Sequence, residues 1–289
     1  MRNRFIEVHS ANDVFQRLES LQRNRHKRQQ SGLFILEGVR LINAALSHRW
    51  EIEGFICQRG RRLSSWASRI LQDQEPARVY ELLPVLFGQL SRKEDKPELM
   101  AVVRIPNDDL HRVKFGDAPL VIVLDRPSNP GNLGSIIRSS DALGADGVVI
   151  YGHAADLYDP EAVAATTGSL FALPVVRVGR SEALVTWIRL CKSEYPALQV
   201  VGSDENGSIT LSGYTLSQPT MILVGNETSG LSGPLKALCD AMIKIPMCGY
   251  ASSLNVACAL SIFLYEAARQ RASERPVVGK RQNLKMGSS

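Results

Sequence analysis

Three stretches of this chain set small polar or charged side chains where apolar elements begin or end. In "IPMCGYASSLNVACALSIFLYEAARQR" (245–271) a β-like run ends at Met247, and apolar spacing predicts a helix from about Leu254 to Arg271. Ser252, Ser253 and Asn255 crowd its mouth. Capping the orphan backbone amides takes one such residue, so the others are left for another task. In "DRPSNPGNLGSIIRSSDALGADG" (125–147) a Pro/Gly turn opens a helix carrying Asn132 and Arg138. The two lie about 1.7 turns apart and do not share a face; taken alone, Arg138 reads as a solvent-facing helix residue. In "LVGNETSGLSG" (223–233) Glu227 sits just past an apolar strand, where either function or helix capping would suit it. The glycines at 225, 230 and 233 allow a ligand to approach the backbone. No GK[ST] follows to make a P-loop, and no GxGxxG follows any strand. What remains is a set of amides, hydroxyls, a carboxylate and a guanidinium, groups that orient a substrate and stabilise charge. No His, Cys or Asp in these stretches is an obvious base.

Ligands of open α/β sheets collect where strands end and helices begin, and each stretch occupies such a junction. "LVIVLD" (120–125) reads as a buried parallel strand. "GVVIYG" (147–152), "LPVVRV" (173–178), "LQVVGSD" (198–204) and "PTMILVGNE" (219–227) are further strands, and "SEALVTWIRLCKSEY" (181–195) is a helix. "DPEAVAATTG" (159–168) opens a helix with Asp159 as N-cap and Pro160 at the first helical position. "SGPLKALCDAMIKIPM" (232–247) gives a helix and then a short strand. Five or six parallel strands wrapped by helices make a Rossmann-like layer. Ahead of it, "GLFILEGVRLINAAL" (32–46), "IEGFICQ" (52–58), "SSWASRILQD" (64–73) and "ARVYELL" (77–83) alternate strand and helix as a small α/β unit. The polar "PNDDLHRVKFGDA" (106–118) is the best linker candidate. The expected division is therefore a first domain at 1–105, a linker at 106–118, a second domain at 119–272 and a flexible tail at 273–289.

Composition narrows the function classes. Of 289 residues, 44% are hydrophobic and 22% charged, a soluble globular balance, and no apolar run is long enough for a membrane span or a signal core. A cytoplasmic protein is expected. The five cysteines are odd in number and never spaced as CxxC, which argues against a disulfide scaffold or structural zinc and for buried free thiols. Charge is unevenly spread: residues 1–105 hold 18 Lys+Arg against 12 Asp+Glu, and the remainder holds 16 against 17. The densest run is "RNRHKR" (23–28), at the end of a polar helical stretch from about Asn12. It reads either as a solvated helix end or as a footprint for a polyanion.

Taken together in this order, "NPGNLGSIIRSSDALGADG", "LVGNETSGLS" and "IPMCGYASSLNVACALSIFLYEAARQ" resemble motifs 1, 2 and 3 of the SpoU/TrmH branch of the SPOUT RNA methyltransferases. "DPEAVAATTGSLFALPVV" (159–176) extends the likeness, which covers about residues 119 to 271. The first domain, with "NRHKRQQSGLFILEGVRLINAAL", is similar to the L30e-like substrate-binding domain of ribosomal RNA members. Over its whole length the chain resembles large-subunit rRNA ribose methyltransferases of the avilamycin-resistance type.

The resemblance implies an α/β fold whose C-terminal Rossmann-like parallel sheet carries a deep trefoil knot, behind a small N-terminal L30e-like α/β domain. It implies S-adenosylmethionine bound at Gly225, Asn226, Ile245, Met247 and Leu254. Catalytic roles pass to Asn132, Arg138, Glu227, Ser253 and Asn255, leaving Ser252 as the simple cap. The family assigns the position of Arg138 as base. A guanidinium with a pKa above about 12 suits steering a phosphate and stabilising a developing alkoxide better. Where the family often has Ser, this chain has Ala257, a change expected to affect packing more than activity. The implied partners are RNA and a second copy of the chain, with no metal and no membrane. The favoured substrate is a 23S rRNA uridine, with tRNA, or a non-catalytic RNA-binding role on the ribosome, as alternatives. Arg23, Arg25, Lys27 and Arg28 are expected to form a basic collar on RNA phosphates, and removal of residues 1–105 to spare cofactor binding.

Overall fold

A computed structural model of the chain describes residues 5–74 and 78–274, so the tail from 275 onward lies outside the described residues. The first part runs β1 (Phe5–Val8), α1 (Asp13–Arg23), α2 (Arg25–Ser31), β2 (Leu33–Glu37), α3 (Val39–Ser47), β3 (Ile52–Gln58), α4 (Ser65–Asp73), β4 (Arg78–Leu82), α5 (Pro84–Leu90) and β5 (Leu99–Arg104). Its sheet has the order β1-β4-β3-β5-β2; β5 is antiparallel to both neighbours and the other pairs are parallel. The polar stretch from Asn12 is two helices rather than one. Asn24 takes an extended backbone and caps α2 by accepting the Lys27 amide at 3.1 Å. The basic run therefore straddles a break, and its cations point in different directions.

The second part runs β6 (Leu120–Asp125), α6 (Pro130–Ala142), β7 (Gly147–Tyr151), α7 (Pro160–Thr166), α8 (Ser169–Ala172), β8 (Val175–Val178), α9 (Ser181–Glu194), β9 (Gln199–Ser203), β10 (Ile209–Thr210), β11 (Thr220–Val224), α10 (Gly233–Lys236), β12 (Ala241–Lys244) and α11 (Val256–Glu274). Its seven strands are all parallel, in the order β10-β12-β9-β11-β6-β7-β8. That exceeds the expected five or six because β10, at two residues, is too short to show a pattern. All six residues of β6 are buried, as an interior strand with helices on both faces requires. β11 lies between β6 and β9, so the loops after β6 and β11 emerge side by side. Asp159 caps α7 through the Glu161 amide at 2.9 Å, as its sequence predicts. α6 and α7 approach closely because position 134 is Gly: a Cβ there would overlap the Ala162 carbonyl.

The two sheets are not separate bodies joined by a loose tether. The connector 106–118 lies along the second sheet, with Val113 buried, and its Asp108 accepts the amide of Arg177 in the edge strand β8 at 2.9 Å. Phe34, Leu41, Ile42 and Ala45 of the first part share one apolar core with Tyr158, Leu170 and Phe171 of the second. The Phe34 and Tyr158 rings lie 4.8 Å apart and those of Trp50 and Phe171 5.0 Å. Removing residues 1–105 would strip this core and expose Tyr158 and Phe171. A clean excision that spares the rest, expected from the motifs alone, is not what this packing supports.

Candidate active site

The loop after β6 is held before it reaches α6. Asp125, fully buried, accepts the Arg126 Nε at 2.7 Å and the Ser232 amide at 2.6 Å, which ties this loop to the one after β11. Arg126 adopts a left-handed backbone (φ 53°), unusual for a residue with a side chain. Asn129 then caps α6 by accepting the Asn132 amide at 2.8 Å, with Pro130 in the first turn. This sets Asn132 at the mouth of the helix.

After β11 the chain folds back on itself at Gly225, where a Cβ would overlap the backbone of Gly230. Asn226 braces the bend. Its backbone pairs with that of Gly230 in both directions, its Nδ2 donates to the Arg126 carbonyl at 2.8 Å, and its Oδ1 accepts the Thr228 and Ser229 amides. Glu227 is thereby aimed at the β6 loop. Its carboxylate accepts the Ser128 hydroxyl at 2.8 Å and the Asn132 Nδ2 at 3.3 Å.

The third stretch answers for its polar residues. α11 begins at Val256, two residues later than the periodicity predicts, and its cap is Asn255: the Asn255 Oδ1 accepts the Ala257 amide at 2.9 Å. The same side chain donates from Nδ2 to the Asn132 Oδ1 at 3.0 Å. Asn255, not Ser252, is therefore the cap, because its amide can serve the helix with one end and Asn132 with the other. The result is a continuous chain from Asn255 through Asn132 to Glu227 and Ser128, drawn from all three stretches. Desolvation alone would raise the Glu227 pKa. Hydrogen bonds from its own backbone, Ser128 and Asn132 outweigh it and hold the carboxyl below its ordinary value. Glu227 is thus an ionised anchor at neutral pH and a poor proton acceptor.

This network borders a cavity of ≈ 700 Å³ lined by Gly225, Asn226, Ile245, Met247 and Leu254, together with Glu227, Ser253 and Asn255. Every residue proposed for the cofactor is gathered there. Ser252 and Ser253 are exposed on its wall. Arg138 is not part of it. It lies on the exposed side of α6, away from the buried Leu133, Ile136 and Ile137, and its side chain makes no hydrogen bond or ion pair among the described residues. Two of the four cations proposed for RNA are also elsewhere. Arg28 is buried against Asp156, and Arg25 donates to the Ala154 carbonyl at 2.7 Å. Arg28 cannot reach a phosphate in solvent, so its assignment to the RNA surface is withdrawn; Arg23 and Lys27 are exposed. Ser128 and Arg126 were missed by sequence reasoning. The small hydroxyl in the turn after a buried strand was a usable signal for Ser128, whereas nothing local announces the backbone of Arg126.

The cysteines also depart from expectation, since Cys248 and Cys258 are exposed. Burial pushes the Cys57 thiol up to about 12 and the Cys191 thiol up to about 11, so neither is a thiolate at neutral pH. The arrangement suits a direct transfer, in which amides and a fixed carboxylate hold a substrate beside a bound donor.

Known proteins place the arrangement. Residues 119–265 match the SpoU rRNA Methylase family and residues 12–101 the SpoU L30e-like domain. The chain is 44% identical over 269 residues to a 23S rRNA (uridine(2479)-2′-O)-methyltransferase of Streptomyces viridochromogenes, covering 93% of each chain. It is 28% identical to the Bacillus subtilis 23S rRNA (guanosine(2553)-2′-O)-methyltransferase RlmP, covering 83% of this chain and 90% of that one. Among solved structures it resembles the SpoU methyltransferase AviRb of S. viridochromogenes in complex with AdoMet, with a TM-score of 0.86 and 44% identity over 91% of this chain and 100% of that one. An AdoMet-bound rRNA methyltransferase of Sinorhizobium meliloti gives a TM-score of 0.82 at 29% identity, over 92% and 98%. With both parts of the chain matched in order and the three loops closed into one network, this protein belongs to the SpoU rRNA methylase family.

Proposed function

We propose that the chain transfers a methyl group from S-adenosylmethionine to the ribose 2′-hydroxyl of a uridine in 23S rRNA, acting in the cytoplasm as a homodimer. The observation that carries this is the Asn255–Asn132–Glu227–Ser128 network at the rim of the cavity. Uridine is favoured over guanosine because the relative named for uridine is 44% identical and the one named for guanosine 28%. The cavity suits the cofactor in size, within the several hundred Å³ of small-molecule sites. It suits it in chemistry too, because Val224, Ile245, Met247 and Leu254 offer apolar walls and Asn226 and Ser253 a polar rim. In this reading residues 1–105 bind RNA, 106–118 connect, and the segment around 245–271 forms the trefoil knot.

When bound, the cofactor supplies an electrophilic methyl on a sulfonium. The chain's own residues then orient the hydroxyl. Asn132, fixed at both ends by Glu227 and Asn255, keeps one face toward the rim, and Ser253 is free to bond the ribose. Arg138 steers the neighbouring phosphate and stabilises the alkoxide, with the proton passing to phosphate or water. Pairing of two copies would give Arg138, which lies outside its own chain's cavity, the cavity of the partner to serve. Cys258, Ile262 and Tyr265 form an exposed stripe at helical spacing on α11, which packs on α6, and the Ser261 and Ser139 hydroxyls bond at 2.9 Å between these helices. The test is incubation with S-adenosylmethionine and 23S rRNA, then mapping of alkali-resistant 2′-O-methyl positions. A new methyl at a uridine is expected, and an unmodified ribose throughout would sink the reading.

A further inference from the structure

Arg28 carries its charge inward. Its side chain is 2% exposed and that of Asp156 6%. Arg28 Nε donates to Asp156 Oδ2 at 2.8 Å, and Nη2 lies 2.7 Å from the same oxygen and 3.5 Å from Asp159 Oδ2. Nη1 donates to the carbonyls of Leu21 at 2.9 Å and Gln22 at 3.2 Å, near the end of α1. One planar guanidinium thus joins α1 and α2 of the first part to the segment ahead of α7 in the second. Asp156 is fixed in turn, accepting the Tyr158 amide at 3.2 Å, and Asp159 caps α7. α7 packs on α6, the helix that holds Asn132. Two further bonds cross between the parts: Arg25 donates to the Ala154 carbonyl, and the Trp50 Nε1 donates to the Phe171 carbonyl at 3.2 Å. The two parts cannot shift against each other without leaving a buried charge unpaired, a penalty that exposed ion pairs do not impose.

We propose that Arg28 is a positioning residue for methyl transfer: it locks the part that holds RNA to the part that holds the cofactor, so that an RNA gripped by the first presents its ribose to the cavity of the second. This rests on the methyltransferase reading above. Arg28 touches neither the cavity nor the substrate. Its loss separates binding from turnover, because RNA affinity comes from exposed cations while the rate depends on geometry, and a misplacement of about 1 Å costs on the order of 100-fold.

The experiment compares the full-length wild type with Arg28→Met, Arg28→Lys and, from the other side, Asp156→Asn. It measures S-adenosylmethionine affinity, affinity for a 23S rRNA fragment, the single-turnover rate on that fragment, and the ¹⁵N indole resonance of Trp50, assigned with Trp50→Phe. For Arg28→Met and Asp156→Asn the expected result is cofactor and RNA affinities within about threefold of wild type, a rate lowered about 10- to 100-fold, and a shifted Trp50 resonance. Arg28→Lys should recover part of the rate, since it keeps the charge and loses the fork. An unmoved resonance in the folded variants overturns the lock, and a moved resonance with an unchanged rate overturns the positioning role. Should Arg28→Met fail to fold, Asp156→Asn and Arg28→Lys decide by the same criteria. A wild type that binds the cofactor and gives the Trp50 resonance but methylates no rRNA overturns the proposed function, and the positioning role with it, while the variants' resonances still judge the lock.

Discussion

Two polar clusters each join segments distant in the chain, and they are built in opposite surroundings. The Asn255–Asn132–Glu227 network spans separations of 123 and 95 residues and lies at the solvent-facing rim of a cavity. The Arg28–Asp156 pair spans 128 residues and is closed off from water. At the rim the groups keep spare hydrogen-bonding capacity and can exchange protein partners for a substrate. In the buried pair each polar atom is committed, and the charges can only hold. Burial, more than residue type, decides which cluster can do chemistry and which fixes shape.

The largest contrast should appear in stability. Arg28→Ala leaves Asp156 buried and unpaired and is expected to cost about 3–5 kcal/mol. Loss of the exposed Arg23–Glu19 pair, 3.2 Å apart on one helix, should cost under about 0.5 kcal/mol by Glu19→Ala. Urea denaturation of both variants checks this, and equal costs would remove the distinction. The reverse holds for catalysis: Glu227→Ala should lower the methylation rate about 100-fold with an unfolding midpoint close to wild type. A parallel loss of both would mean that the rim network is holding the fold.

Gly134→Ala probes the helix contact between the two clusters. Its new Cβ overlaps Ala162 and forces α6 off α7, which should cost about 1–3 kcal/mol and disturb Asn132 as well. Calorimetry beside a rate measurement would show both effects or separate them. A smaller effect is expected from acid. Because the folded Glu227 pKa is depressed, its ionised form stabilises the fold above the unfolded value of about 4.3. That contribution is lost only as pH falls through the lower folded value. The rate should therefore show no Glu227 inflection between pH 6 and 9, and one found there that vanishes in Glu227→Gln would make Glu227 the base. The smallest effect concerns the cations left in solvent. Arg23→Ala or Lys27→Ala should each flatten the salt dependence of RNA binding by up to about 0.7–0.9 in log–log slope, with the modified nucleotide unchanged.

Local chemistry was legible in particular residues. Asp159 and Pro160 announced α7, and the apolar run at 120–125 announced an interior strand. Gly225, Ile245, Met247 and Leu254 came from the family resemblance rather than from local chemistry, and the fold sets them around one cavity. The misjudged residues share a cause. Ser252 and Asn255 are both plausible caps from sequence, and the choice fell to the one that Asn132 could also reach. Arg23 and Arg28 are alike in a basic run, yet one faces water and the other two aspartates far along the chain. Helix starts, strand faces and tight turns are set by sterics and hydrogen bonds within a few residues, so the sequence by itself determined them. Which cations are free, which amide joins the site and how the two sheets share a core depend on groups brought together from more than ninety residues away. The energy of a polar group turns on whether that encounter leaves it in water, paired or alone, and only the tertiary structure decided that.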